Sequence, residues 1–241
     1  MQPIKEKFPK YAVLYWSSVY SKSNSKMLYL FRLITQIFTK SNLEHCAICQ
    51  VIPKDIKTQM VRDNHAYTEI KQDNFYVFES NKHYGNIVEK LEKRLNGLLN
   101  KKTKWSGTVF IQPIENIKLL AAAKDNLDNL KNPYTIGSAI FCAFDETKIG
   151  KWFYKKFNIK TKVSRYNHCS ASNFINIQKA MEQKIDRELA IKTSPEELCN
   201  YLIKNYNADA PKPLLKIENG SCLWYDEKLL INKDKELLIN K

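Results

Sequence analysis

Arginine is scarce in this chain: of its 39 basic residues only 5 are Arg, and the rest are Lys. Proteins that read nucleic-acid bases lean on the bidentate guanidinium fork, so nucleic-acid recognition is not the expected use of the formal charge of +14. The lysine excess travels with abundant Ile and Asn, a bias that AT-rich coding produces on its own. The alternative is a basic surface that meets an anionic membrane or nucleic acid. Long apolar runs are missing too. The longest near the N-terminus, MLYLFRLITQIF, has 12 residues and contains Arg32, well short of the roughly 20 that span a bilayer. MQPIKEKFPK is charged and lacks an apolar h-region, so no secretory signal is expected there. The expectation is a cytoplasmic protein (host cytoplasm or virion, if the source is viral) with free thiols.

What is present suffices for a globular domain. Apolar residues make up 44% and aromatics 12% of 241 positions, enough to bury a core for one large domain, or for a core domain with an elaboration. YAVLYWSSVY (11–20), CAICQVI (46–52), NFYVFES (74–80) and WSGTVFIQPI (105–114) read as strands. Helical spacing of apolar residues predicts helices over 26–39, 86–100, 117–130, 170–183 and 194–205. The last carries Ser194 as N-cap, Pro195 in the first turn and Glu197 to close a capping box. Residues 136–166 mix apolar and Lys-rich pieces without a clear period, and a short strand is expected around SCLWYD near the C-terminus. No internal repeat is visible. The order of elements predicts an α+β fold, with residues 1–190 forming the core and 191–241 a C-terminal helix and basic tail packed on it.

The segment NLEHCAICQVI sets His45 directly before Cys46 and Cys49. Three readings compete: metal ligands, a catalytic base at a strand entrance, or core packing. Structural zinc takes four ligands, commonly as two spaced pairs, and no second C-x-x-C or H-x3-H pair occurs. Successive strand residues also point to opposite faces, so His45 and Cys46 could not easily share one ion. No metal site is expected, and Cys46 and Cys49 read most simply as core thiols.

Cys169, in RYNHCSASNFINIQ, stands at the predicted start of a helix. Unpaired backbone N–H groups and the positive end of the helix dipole both favour a thiolate at such a position. A thiol nucleophile needs a base and a group that orients the base. His168 is adjacent, but sequence neighbours rarely meet side chain to side chain, which leaves His45 as the better base. Glu79 ends the apolar run FYVF and is the candidate orienting carboxylate. The plain alternative treats the three as a buried thiol, a strand-end histidine and an edge carboxylate.

Four segments together carry a resemblance. FTKSNLEHCAICQVI, FYVFES, NPYTIG and RYNHCSASNFINI, in that order, resemble the motifs of circularly permuted NlpC-type papain-like cysteine hydrolases. The branch nearest in look holds YiiX-like and YaeF-like bacterial proteins and a poxvirus virulence protein. The resemblance covers roughly residues 10–185. It implies a permuted papain-like fold, a central antiparallel sheet or barrel packed against helices. It also implies Cys169 as nucleophile, His45 as general base and Glu79 as the residue orienting His45, with Tyr134 and Tyr166 lining the substrate site. Two departures are plain. KYAVLYW lacks the Gly-Asp with which the family opens its first strand, and Asn167 and His168 separate Tyr166 from Cys169 where the family has at most one residue. The implied chemistry is cofactor-free acyl transfer through a thioester, on a peptide amide or an acyl lipid. A non-catalytic protein that binds lipid, nucleic acid or a host protein through the same pocket or the basic surface is the competing expectation.

Overall fold

YAVLYWSS is apolar on both faces, and it forms the strand β1 (Tyr11–Ser18) with Ala12 to Trp16 all buried. The structure, a computed structural model, describes residues 9, 11–18, 42–51, 60–63, 66–69, 75–81, 85–99, 105–114, 152, 156, 168–218 and 221–224. After β1 come β2 (His45–Val51), β3 (Met60–Asp63), β4 (Ala66–Glu69), β5 (Phe75–Asn81), β6 (Gly85–Lys90), α1 (Leu91–Leu99) and β7 (Gly107–Pro113). Then follow α2 (Cys169–Ala180), α3 (Arg187–Lys192), α4 (Pro195–Tyr206), β8 (Lys212–Glu218) and β9 (Ser221–Trp224). Seven strands form one antiparallel sheet in the order β6-β5-β2-β1-β7-β8-β9, and β3 pairs with β4 in a separate hairpin. This is an α+β architecture, as the order of elements predicts.

Strand alternation sorts the core into two layers. Val13, Tyr15, Cys46, Ile48, Tyr76 and Phe78 lie against Phe174 and Ile177 of α2 and Leu198 and Leu202 of α4. Ala12, Leu14, Trp16, Ala47, Cys49 and Val77 lie against Leu91, Leu95 and Leu98 of α1. The sheet is covered on both sides near β2. Among the described residues, no helix is long and apolar enough to cross a membrane.

Several elements depart from the sequence reading. NIVEKLEKRLNGLLN is not one helix: its first part is β6, paired with β5, and the helix begins only at Leu91. Ile87 and Val88 are adjacent, β-branched and both buried, as in a strand covered on both faces, and the 3.6 period sets in with Leu91, Leu95 and Leu98. The polar stretch after β2 contains the β3–β4 hairpin. RELAIK forms the short helix α3, where the Asp186 carboxylate accepts the Leu189 N–H at 2.9 Å as an N-cap. KPLLKIE adds β8 despite Pro213. The register of β7 and β8 shifts between Val109 and Phe110, and Pro213 sits at that irregularity, where a missing N–H is tolerated. The strands β8 and β9 therefore extend the main sheet rather than only resting on it. The helices expected over 26–39 and 117–130 lie outside the described residues, as does 136–166 apart from residues 152 and 156.

One glycine is required by close approach. A Cβ on Gly107 would meet the Ser17 carbonyl oxygen and stand 2.7 Å from the Trp105 ring and 2.9 Å from Ser18 Cα. Gly107 pairs with Ser18 at the end of β1, next to the end of the strand that faces His45.

Candidate active site

His45 is the first residue of β2 and pairs with Trp16 of β1; the two rings lie 5.0 Å apart between centroids at a 53° tilt. Continuing the β2–β5 register past Ile48 and Phe78 sets Glu79 opposite Ala47, on the same face as His45 and one diagonal step away. The His45 Nε2–H donates to Glu79 Oε2 at 2.8 Å. Arg94 of α1 donates to the same oxygen through Nε at 3.2 Å and Nη2 at 3.1 Å. Its guanidinium also lies 5.3 Å from the Trp16 ring centroid and 3.6 Å from Glu89. The Glu79 side chain is fully buried, whereas His45 keeps 22% of its side-chain surface. A buried carboxylate at the end of FYVF is thus compensated twice, by an imidazole and a guanidinium. With Nε2 committed to Glu79, Nδ1 is the ring nitrogen left for a thiol.

That thiol is Cys169. It is the first residue of α2, with the preceding His168 in extended backbone (φ −138°, ψ 174°) and supplying no side-chain cap. Cys169 is buried and lies close enough to His45 and to the Cys46 thiol for both to govern its ionisation. His45 and Cys46 start β2 on opposite faces, yet both reach the same sulfur. The end of the strand leaves no further β2 residue between its two faces, and the first turn of α2 closes over it. Among the described residues, however, no group of three or more His, Cys, Asp or Glu side chains is placed to hold a metal ion.

The electrostatics favour an ion pair. The Cys46 hydrogen bond is the largest influence on Cys169 and lowers its pKa; burial opposes it, and the His45 charge and hydrogen bond lower it further, to well below the ordinary thiol value. For His45 burial is the largest single influence and lowers the pKa. The Cys169 and Glu79 charges and hydrogen bonds together outweigh it and raise the imidazole to about 9. His168 also lowers Cys169 when it carries a charge. Burial, however, lowers the pKa of His168 itself, and its Nε2 faces the Thr193 carbonyl at 3.3 Å, so near neutral pH the cation beside the thiolate is His45. Cys46 behaves in the opposite way: burial first, then its bond to Cys169, push it well above the usual thiol range, so it remains an S–H donor. Asn173, four residues after Cys169 on the same helix face, donates Nδ2–H to the Cys46 carbonyl at 2.9 Å and to Cys46 Sγ at 3.3 Å.

The structure thus brings Cys169, His45 and Glu79 together; Tyr134 and Tyr166 lie outside the described residues. Cys49 is the core thiol the sequence suggests, facing the α1 layer, but Cys46 is a direct neighbour of Cys169. Sequence reasoning also missed Arg94, Trp16 and Asn173. Asn173 had a readable signal in its i+4 spacing from Cys169; Arg94 had none, because its helix starts later than the periodicity suggests. No protein-family model matches the chain, and none of the curated proteins is significantly similar to it.

Proposed function

We propose that the chain is a thiol hydrolase or acyltransferase of the permuted papain-like (NlpC-type) class, working through Cys169, His45 and Glu79. The observation that carries this reading is the placement of Cys169, at the start of α2, beside His45, which is itself hydrogen-bonded to the buried Glu79. A structural thiol has no need of a depressed pKa, and a core histidine has no need of a buried carboxylate anchored by Arg94.

The chemistry follows from the protonation states. Cys169 is held as thiolate and His45 as imidazolium, so the nucleophile is ready before substrate arrives. The thiolate attacks an amide or ester carbonyl, and the backbone N–H groups at the start of α2 receive the developing oxyanion. His45 then gives its proton to the leaving amine or alcohol, which leaves a thioester. Water, or a second acceptor, is deprotonated by His45 and resolves it. Glu79 keeps the ring in the orientation that points Nδ1 at sulfur and stabilises the imidazolium. The order His, Glu, Cys along the chain is immaterial, since a triad is a matter of geometry.

The test is alkylation. Iodoacetamide at about pH 6, followed by mass spectrometry, should modify Cys169 and leave Cys49 and Cys199 untouched in the folded protein. Acyl transfer should then appear in a panel of peptide amides and acyl-lipid esters, and vanish with Cys169→Ala. A Cys169 no more reactive than Cys49 at that pH sinks the reading.

A further inference from the structure

Cys46 takes no part in the acyl-transfer chemistry, yet it is built into the site. Its thiol lies beside Cys169 in the same core cluster, and Asn173, one turn along α2 from Cys169, donates to both the Cys46 carbonyl and its sulfur. The β2 strand and the first turn of α2 are therefore fixed against each other at the two thiols. A hydrogen-bond acceptor from any other residue type would serve packing equally well. A second thiol beside a thiolate adds one chemical capacity that other side chains lack.

We propose that Cys46 is a resolving thiol, so that a peroxide oxidises Cys169 to a sulfenic acid that Cys46 then captures as a Cys46–Cys169 disulfide. The inference rests on the thiolate character given to Cys169 above, and goes beyond it to an oxidative modification of the same site. In the first step the Cys169 thiolate attacks a peroxide oxygen. The S–O bond forms, the O–O bond breaks, and the departing hydroxide takes the imidazolium proton of His45 and leaves as water. In the second step Cys46 sulfur attacks the sulfenic sulfur. The S–S bond forms, the S–O bond breaks, and the hydroxide leaves with the Cys46 proton as a second water. Two thiols lose two electrons and hydrogen peroxide gains them. Oxidation of Cys169 also removes the thiolate that stands second to burial in holding the Cys46 proton in place, so Cys46 is a better nucleophile after the first step than before it. Capture by Cys46 silences the nucleophile reversibly and keeps it from the irreversible sulfinic and sulfonic states. Cys49, on the same strand but facing the α1 layer, cannot substitute.

The experiment treats the purified full chain with hydrogen peroxide, then maps it by non-reducing proteolysis and mass spectrometry. The expected result is loss of the mass of two hydrogens and a cross-linked pair of peptides carrying Cys46 and Cys169. Dithiothreitol should restore iodoacetamide labelling of Cys169. In Cys46→Ser the same dose should drive Cys169 to sulfinic or sulfonic acid that dithiothreitol does not reverse, while Cys49→Ala should behave as the wild type. Recovery of Cys46 as a free thiol beside a doubly or triply oxygenated Cys169 in the wild type overturns the inference, and so does a link from Cys169 to any other cysteine. The wild-type map decides even if Cys46→Ser folds poorly. If the unoxidised protein fails to alkylate at Cys169 near pH 6, the hydrolase reading falls; normal alkylation without the Cys46 link removes this inference alone.

Discussion

Two helices of this protein begin in opposite ways. At the start of α4 the Ser194 Oγ accepts the Glu197 N–H at 3.2 Å, and Glu197 Oε2 accepts the Ser194 N–H at 2.6 Å. Pro195 follows in the first turn, so the terminus is closed by its own residues. At the start of α2 the residue before the helix provides no side-chain cap, and a thiol occupies the first position. By helix geometry the N–H groups of Cys169, Ser170 and Ala171 have no partner within α2. One start stabilises a helix; the other leaves donors and a dipole directed at a sulfur that carries negative charge. Buried polar side chains follow the same division. Ser170, Ser172, Asn173, Asn176 and Gln178 are buried along α2, where an ordinary core helix would present apolar residues.

The sharpest way to break this contrast is at the thiol itself. Cys169→Ala should lower acyl transfer by about 10³-fold or more while leaving the protein folded, read as turnover beside a thermal melt. Next in size is His45→Ala. It removes the cation beside the thiolate, and each unit by which the thiol pKa rises costs about tenfold in thiolate at pH 6, read as the alkylation rate. Turnover should rise with pH through the lowered Cys169 pKa and fall as His45 loses its proton near 9. Glu79 is among the groups raising His45, so Glu79→Gln should move that descending limb to lower pH with a smaller loss at the optimum.

Stability should respond differently from turnover. Protonated His45, raised from 6.5 to about 9, contributes fully below 6.5 and is lost as pH rises through 9. Ionised Cys169, depressed from 9, contributes above 9 and is lost as pH falls through its lowered value. Between 6.5 and 9, at any pH above the lowered Cys169 value, the folded pair and the unfolded chain each hold one proton, and the two slopes cancel. The melting temperature should therefore show no slope from this pair across that window, and turnover should fall only at its upper edge, as His45 loses its proton near 9.

The capped start was legible in the sequence and the uncapped one only half so. Ser194, Pro195 and Glu197 act locally, over one helical turn, and both expected bonds are present. The strands β1, β2, β5 and β7 were also legible, because a run buried on both faces announces itself in composition. Cys169, His45 and Glu79 could be picked as residues in unusual positions, but nothing local indicates that they meet. Their meeting depends on β2 and β5 being neighbours and on α2 beginning over the start of β2, which are tertiary facts. Arg94 was hidden for a similar reason. Pairing with β5 overrides the helical pattern of NIVEK, and only the delayed start of α1 turns Arg94 toward Glu79. β8 escaped notice because Pro213 argues against a strand, and the irregularity that accommodates it, with Leu214 as the extra residue, shows only in the pairing with β7.

The smallest expected effect tests the other side of the contrast. Ser194→Ala deletes the side-chain acceptor for the Glu197 N–H and leaves only the bond from the backbone N–H of residue 194 to Glu197 Oε2. Loss of such a cap costs about 1 kcal/mol, which for a chain of this length lowers the melting temperature by about 2–4 °C. The Cys169 alkylation profile should not move, because α4 meets the sheet through Leu198 and Leu202 and sends no side chain to His45 or Glu79. Cys169→Ala predicts the converse, a large loss of chemistry with little change in melting. If Ser194→Ala instead shifts the pH dependence of alkylation as strongly as Glu79→Gln does, the two helix starts are not independent, and the division between a closed terminus and a reactive one does not hold.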